Sequence, residues 1–590
     1  MQLNGKKLLQ SFQEGGLRVI NKRKELNSIN VFPVADADTG NNLSSLMRSI
    51  NDISKSGDEM PISTVLSLVA NKALEHGKGN SGMIFAQYFN GVSRFYFESD
   101  DPEKTLINAF VSAVDDAYSA VQDPQEGTIL TVIKDWAYKL QQTMSNHSFS
   151  ESLLIARDEA KASVLNTKYQ HKVMKKNEVV DAGAKGFLLF LEGLTDVFND
   201  FTTDLKQNTH KVLHEIKKNH GDKRSEAPNY RYCMEVMFSS DTYKLDQSEV
   251  EGFGDSIVIV EGKSKSKLHI HTNNPPKILK ELTEKVQVLN IKVDNMEQQY
   301  YDQNMNDKSI AIVTDSIADI SEADLKRYNI HVLPLTIMVD ESEHLDKVTI
   351  DNQSLYKLMD DDIQHDISTS LPSQMNILRM FENLEQNYNE VLFISVSSKL
   401  SGTYNAILNA KKVYDGSLTI EVIDSSLNSI AQGLLVKAAS EYVEKGMAFN
   451  ELIKTVEKEK QLIDIYVSVI DLDPMIQSGR IPQSLGKAFK KLKLIPIVSL
   501  DKEGKGKLSN IGLSQKSIQK KILRRVIAKR NDIHEIVIGF TSDSKDAKEW
   551  QAILQKQNIS NVKIIQTSSI IALSAGRDST ALAVNYKKGK

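Results

Sequence analysis

The chain has 590 residues, more than one hydrophobic core usually organises, so three or four domains are expected. Seventy-three basic residues against 77 acidic ones leave a formal net charge of -4, without the basic footprint of a nucleic-acid binder. No uninterrupted apolar stretch reaches the roughly 18 residues of a membrane span, and Met1 to Gly15 lack the apolar centre of a signal peptide, so a cytoplasmic protein is expected. The single cysteine, Cys233, cannot form an internal disulfide.

Residues 1–201 read as an all-α domain. Between Ser63 and Leu74, for example, Val65, Leu66, Val69 and Ala73 fall on one helical face behind Ser63 as a cap. Residues 202–229 are polar, with mixed charge, Gly221 and Pro228, and read as a linker. Residues 230–305 read as a small α/β domain, with strands at Met234 to Phe238, Ser256 to Val260 and Lys267 to His271 and a helix after Pro276. From 306 to 590, apolar strands such as Ile310 to Val313, Val391 to Val396 and Ile536 to Phe540 alternate with helical segments, which predicts an α/β unit on a mainly parallel sheet.

Four polar, glycine-containing or acidic turns punctuate the helical domain. The first, Val31 to Asn42, sets Asp36 and Asp38 two residues apart where a helix opens. Mg²⁺ takes hard oxygen ligands, one or two of them protein carboxylates, with the rest from water and nucleotide phosphate. The alternative is that both aspartates merely cap the helix. The second turn, Gly77-Lys78-Gly79-Asn80-Ser81-Gly82, offers free backbone N–H groups at a helix N-terminus, suited to phosphate. Glu126-Gly127-Thr128 and Val180-Asp181-Ala182-Gly183 complete the set, and their recurrence predicts one shared rim. No Gly-x-x-x-x-Gly-Lys-Ser/Thr loop occurs, which disfavours a P-loop enzyme.

These turns resemble the nucleotide-binding domain of the dihydroxyacetone kinase family, a helical barrel holding ATP and Mg²⁺ at one end. Their order resembles still more the catalytic subunit of bacterial fatty acid kinase. The resemblance implies that Asp36 and Asp38 hold Mg²⁺, with Asn30 as a third metal neighbour one residue out of register. It places Thr39 and Asn42 at the phosphates, Asn80 and Ser81 with Gly79 and Gly82 around them, and Thr128, Asp181 and Gly183 near the nucleotide. Two positions depart from the family: Ala37 stands where Gly is common and Asn41 where Thr is common.

In the middle domain, His269 and His271 alternate along a strand and share a face, with Cys233 on a preceding strand. One thiolate and two imidazoles make a three-ligand Zn²⁺ set with a fourth position open. The alternative is a buried Cys233 acting as a small hydrophobe and two histidines on a solvated strand. Tyr232 to Glu235, Gly254 to Ser256 and His269 to Asn273 resemble the middle domain of the same kinase component, which favours zinc.

The C-terminal half carries hydroxyl-rich turns at strand ends: Thr314-Asp315-Ser316, Ser368 to Ser373, and Leu400-Ser401-Gly402-Thr403-Tyr404, with Gly479-Arg480-Ile481 beyond. Such turns beyond strand ends converge on anionic head groups. These segments resemble the DegV family of fatty acid-binding proteins, with a two-subdomain α/β fold. The resemblance puts an acyl carboxylate against Thr369 and Ser401, with Gly402, Thr403 and Arg480 nearby. Where the family has a histidine-containing stretch, this chain reads Leu573 to Ser579, and Arg577 is the expected replacement for the missing charge.

The expected reaction is ATP plus fatty acid giving ADP and acyl phosphate, used by an enzyme of phospholipid synthesis. Transfer within one chain and exchange between chains of a homodimer both remain open. Two rivals are a dihydroxyacetone-type kinase, against which stands the lack of anything like its ketone-binding component, and a lipid carrier or sensor whose kinase domain has decayed.

Overall fold

The computed structural model describes residues 3–32, 38–54, 60–170, 172–199, 227–240, 243–262, 264–304, 309–362, 365–470, 472–477, 489, 491–492 and 494–587. The chain divides into two compact units, Met1–Tyr300 and Tyr301–Lys590. Among the described residues no helix is long and apolar enough to cross a membrane.

In the first unit, helices of 13 to 22 residues, from Gly5–Asn21 to Ala182–Phe198, form the predicted all-α domain. Ala182–Phe198 is apolar nearly all round and buried along most of its length, which makes it the helix the others surround. It meets Gly5–Asn21 closely: a Cβ on Gly193 would lie 2.6 Å from the Gly15 nitrogen, so only glycine permits the crossing. Phe12, Phe85, Tyr88, Phe89, Trp136, Phe187 and Phe190 fill the centre, with Phe85 and Phe187 5.4 Å apart in an edge-on arrangement. One boundary differs from expectation. The third long helix is Ile62–His76, starting after Pro61, and Ser63 lies inside it, its N–H donating to Glu98 at 2.9 Å instead of its hydroxyl capping the end.

The strands of the middle domain form one antiparallel sheet in the order Asp255–Glu261, Lys265–Thr272, Tyr232–Ser239, Val288–Asn295. The last of these was not among the expected strands, although its residues alternate apolar and polar. Met234, Val236 and Phe238 point to a buried face, which leaves Cys233 and Glu235 on the other. The helical domain extends this sheet: Gln122 donates to the Ile257 carbonyl and Ile259 to that of Ala120, both at 3.1 Å. Val258 and Val260 join the helical core, so the two domains share one hydrophobic interior. The linker expected at 202–229 lies outside the described residues as far as residue 226.

The second unit has two sheets with helices against them. The first is wholly parallel, ordered Thr419–Asp424, Glu390–Ser395, Ile310–Asp315, His331–Leu333, as expected, and is accompanied by a small antiparallel sheet of Thr336–Val339, Ser342–Leu345 and Ile367–Ser370. The second corrects the expectation of a mainly parallel half. Its order is Gly506–Gly512, Ile495–Leu500, Ile463–Ser468, Thr580–Tyr586, Ile533–Phe540, Val562–Gln566, and only the final pair runs parallel. The physical reason is the last strand of the chain, Thr580–Tyr586, which returns antiparallel between two earlier strands; apolar alternation carries no strand direction.

Candidate functional site

The four turns of the helical domain each open a helix and converge. Asp38 precedes Thr39–Asn51, is half-buried, and makes no side-chain hydrogen bond to the first turn, so capping does not explain its carboxylate. Thr39 and Asn42, in the first turn of the helix that Asp38 precedes, are buried, and so is Asn30, whose N–H donates to the Asn27 carbonyl. Asp36, Ala37 and their neighbours from Pro33 lie outside the described residues. Asn41 is explained locally: its N–H donates to Asn27 Oδ1 and its Oδ1 accepts from Asn27 Nδ2, each at 3.1 Å.

Helix Gly79–Phe95 starts with Gly79 at φ +59°, a left-handed conformation that favours glycine. A Cβ there would also lie 2.7 Å from Asn42 Nδ2, which sets the second turn against the first. A Cβ on Gly183 would lie 2.5 Å from Ser81 Oγ, which sets the fourth turn against the second. The Asp181 carboxylate accepts from the Ala184 N–H at 2.7 Å and from the N–H of Ile129, joining the fourth turn to the third. There Thr128 caps helix Ile129–Thr143, its Oγ1 accepting from the Leu130 N–H and donating to the Gln125 carbonyl at 2.7 Å. Asn80, Ser81 and Gly82 form the first turn of the second helix.

One expectation is corrected at this rim. The Gly79 N–H is not free: it donates to Glu235 Oε1 of the middle domain at 2.7 Å. A helix N-terminus packed against another domain leaves an orphan donor that must be satisfied, and the buried carboxylate does so.

Burial raises the Asp181 pKa to about 6 against the pull of its two backbone donors. Because the folded value lies above that of an unfolded aspartate, this group's contribution to stability is full below about pH 4 and is lost as pH rises through about 6. It is worth about 3 kcal/mol at most. Asp181→Asn keeps a good cap and removes the buried charge. Without nucleotide, its helical domain is expected to melt several degrees higher than wild type at pH 7, with the difference vanishing near pH 4. An equal or lower melting temperature at pH 7 contradicts this.

On the second face of the middle sheet, Cys233 pairs in register with His271, and Glu235 with His269. The ligand atoms of Cys233, His269 and His271 lie within 4.8 Å of one another, with Cys233 Sγ 3.8 Å from His269 Nδ1. Both histidines are buried, at 1% and 6% exposure, which removes the alternative of a solvated strand. His269 Nε2 is buried with no hydrogen-bond partner among the described residues, and His271 Nδ1 lies 3.5 Å from Asp255. A sulfur and two nitrogens at this spacing, with an orphaned imidazole nitrogen, fit a zinc-type donor set. Desolvation pushes the Cys233 thiol up, opposed by Lys292 and reinforced by Glu235, Asp294 and Asp38, so a metal would have to displace its proton.

Glu235 itself is 2% exposed. Burial works against its ionised form, but Lys267, Lys292 and His269 overcome this and hold it well below the usual carboxylate range.

In the second unit, a cavity of about 160 Å³ lies between the two sheets, walled by Val396, Val467, Val498, Ile570 and Ala581 and reached by Ser401. Ser401 Oγ lies 2.8 Å from Thr403 Oγ1 and accepts the Thr403 N–H at 3.2 Å, at the start of helix Thr403–Val413. Gly402 abuts Leu371, so the segment that leaves strand Ile367–Ser370 flanks the turn of Ser401; Thr369 lies within that strand instead of a turn, paired with Ile337, is exposed and does not line the cavity. Arg480 lies outside the described residues. The expectation for Arg577 is corrected: its guanidinium pairs with Asp360 at 2.7 Å, donates to the Tyr356 carbonyl and stacks on the Tyr356 ring, away from the cavity lining. Asn428, which sequence reasoning missed, lines the cavity with a buried Oδ1 that has no partner among the described residues. The only sequence signal for it was a set of polar residues after a strand, Asp424-Ser425-Ser426 and then Asn428-Ser429 around Leu427.

Three family models match the chain in succession. Residues 33–196 match the DAK2 domain, 229–303 the middle domain of the fatty acid kinase A-component-like family, and 309–587 the uncharacterised DegV family. One chain joins a DAK2 domain, a fatty acid kinase-like middle domain and a DegV domain. Over 313 residues, 51% of its length, the chain is 31% identical to an uncharacterized protein of Staphylococcus haemolyticus, covering 56% of it. Over the same length it is 30% identical to one of Staphylococcus aureus strain USA300, covering 57% of it. It thus spans little more than half the length of these curated relatives. Among solved structures it is similar to a fatty acid-binding DegV family protein from Thermus thermophilus, at 21% identity, covering 47% of this chain and 99% of that one, with a TM-score of 0.44. A stearic acid-binding protein from Eubacterium ventriosum is 25% identical, with 47% and 98% covered and a TM-score of 0.43.

Proposed function

We propose that this chain phosphorylates, at the expense of ATP, a fatty acid carboxylate held in its DegV domain. The observation that carries the reading is the convergence of the four DAK2-domain turns, through Asn42 on Gly79, Ser81 on Gly183 and Asp181 on Ile129, in a chain that also holds an apolar cavity reached by a serine hydroxyl.

A fatty acid is ionised at pH 7, so its carboxylate is already a nucleophile. A carboxylate oxygen forms a bond to the γ-phosphorus as the bond from that phosphorus to the bridging oxygen of ADP breaks, giving acyl phosphate and ADP without a general base. Asp36 and Asp38 would hold Mg²⁺, which supplies charge neutralisation at the phosphates when bound. The backbone N–H groups of Asn80 and Ser81, between the already bonded amides of Gly79 and Gly82, would cradle phosphate oxygens, and Asn42 and Thr39 would orient them. Cys233, His269 and His271 would hold Zn²⁺ in the neighbouring middle domain. Ser401 and Asn428 would hydrogen-bond the acyl head group, while the cavity walls keep water from the chain. The acyl phosphate would pass to an enzyme that consumes activated acyl groups in phospholipid synthesis.

The acyl part of this reading is tested at Ala581, on the central strand of the second sheet and in the cavity wall. Ala581→Phe fills space that would otherwise take about three methylenes, each worth about 0.8 kcal/mol, so affinity for a long-chain fatty acid is expected to fall roughly fiftyfold. Unchanged affinity in a folded variant excludes this cavity as the acyl site.

A further inference from the structure

The sequence of the helical domain gives no reason for the Gly77–Gly82 turn to hold one shape, since two of its first three residues are glycine. The middle domain supplies it. Glu235, on strand Tyr232–Ser239, accepts the Gly79 N–H at 2.7 Å, and Lys267, on the adjacent strand Lys265–Thr272, donates from Nζ to the Gly77 carbonyl. The two side chains also pair with each other at 3.2 Å and are 2% and 5% exposed. They therefore grip both ends of a three-residue stretch from one sheet face.

A buried ion pair is a poor stabiliser, because desolvating two charges costs about what their attraction returns. This one is better explained by what its remaining hydrogen bonds fix. Gly79 rests against Asn42 of the first turn, and Ser81 against Gly183 of the fourth, so a shift of Gly79 would disturb the fit of the second turn to both neighbours. The same strand face carries Cys233, His269 and His271, with His269 Nδ1 3.7 Å from Glu235.

We propose that Glu235 and Lys267 are positioning residues: they act as a two-point clamp by which the middle domain holds the Gly77–Gly82 turn in the conformation that receives nucleotide phosphate. This rests on the reading that the turn is a phosphate site. It makes the helical domain an incomplete binding site without the middle domain, and it places the coupling in two hydrogen bonds.

The test uses the full chain with Mg-ADP as probe, calorimetry for affinity and hydrogen exchange of the 77–82 amides for the turn itself. Glu235→Ala and Lys267→Met are each expected to weaken Mg-ADP about tenfold and to speed exchange across the turn. Their combination should cost little more than either alone, because both hold one element. Glu235→Gln, which keeps an acceptor for Gly79, should stay within about threefold of wild type; a merely structural charge would not be rescued this way. Wild-type affinity and wild-type exchange in folded Glu235→Ala overturn the clamp. If the wild-type chain itself binds no Mg-ADP, the nucleotide reading fails, and exchange alone decides the clamp: faster exchange in the variants upholds it and unchanged exchange overturns it. Should Glu235→Ala not fold, the double variant Glu235→Gln/Lys267→Met removes both charges together, and the exchange of Gly77 to Gly79 is read in the same way.

Discussion

Asp38→Ala is expected to lower the rate of ADP formation by at least about a hundredfold while leaving the fold intact. Removing a partner that only orients a metal ligand typically costs 10- to 100-fold, and Asp38 is expected to be a ligand itself, so its loss should lie at or beyond the upper end. Its carboxylate makes no capping hydrogen bond, so little helix stability depends on it. Steady-state turnover with melting curves on the same samples checks the point. Normal turnover in Asp38→Ala excludes this aspartate from the site.

Phe187→Ala should have the largest effect on stability. The ring is fully buried and meets Phe85 at 5.4 Å, Trp136 at 5.9 Å and Tyr88 at 6.0 Å. Truncating such a residue costs about 3 to 5 kcal/mol, the transfer of the ring plus the cavity it leaves. Phe187 lies one helical turn beyond Gly183 on the helix that Asp181 caps, so loosening it should disturb the fourth turn of the rim as well. Calorimetric melting is expected to show the first unit unfolding many degrees earlier while the transition of the second unit stays in place. A shift of only one or two degrees would mean that the aromatic cluster repacks.

The turns of the helical domain were legible because Asp, Asn, Thr and Gly stand out against apolar helices, and each does open a helix. Recurrence made their convergence an expectation, but their spacing along the chain could not establish it, since it depends on how helices cross. Cys233, His269 and His271 were legible from strand alternation, which puts residues two apart on one face. The same rule places Glu235 beside Cys233 and Lys267 beside His269, so their shared face was within reach; that they grip Gly77 and Gly79 was not, because those contacts span 190 and 156 residues. Arg577 was misassigned because a charge argument cannot see the carboxylate of Asp360, 217 residues away, that claims it. Strand Val288–Asn295 was within reach of the same alternation rule, since Leu289, Ile291 and Val293 alternate with Asn290, Lys292 and Asp294, the period-two pattern of a partly buried edge strand.

The central claim is that one chain couples ATP cleavage to a fatty acid carboxylate. It is tested most directly by measuring ADP and hydroxylamine-trappable acyl phosphate from purified protein with ATP and Mg²⁺, with and without a long-chain fatty acid, beside the Asp38→Ala control. The account predicts equimolar ADP and acyl phosphate only when fatty acid is present, and neither in the control. Tight fatty acid binding without either product would contradict it and leave a lipid carrier in its place.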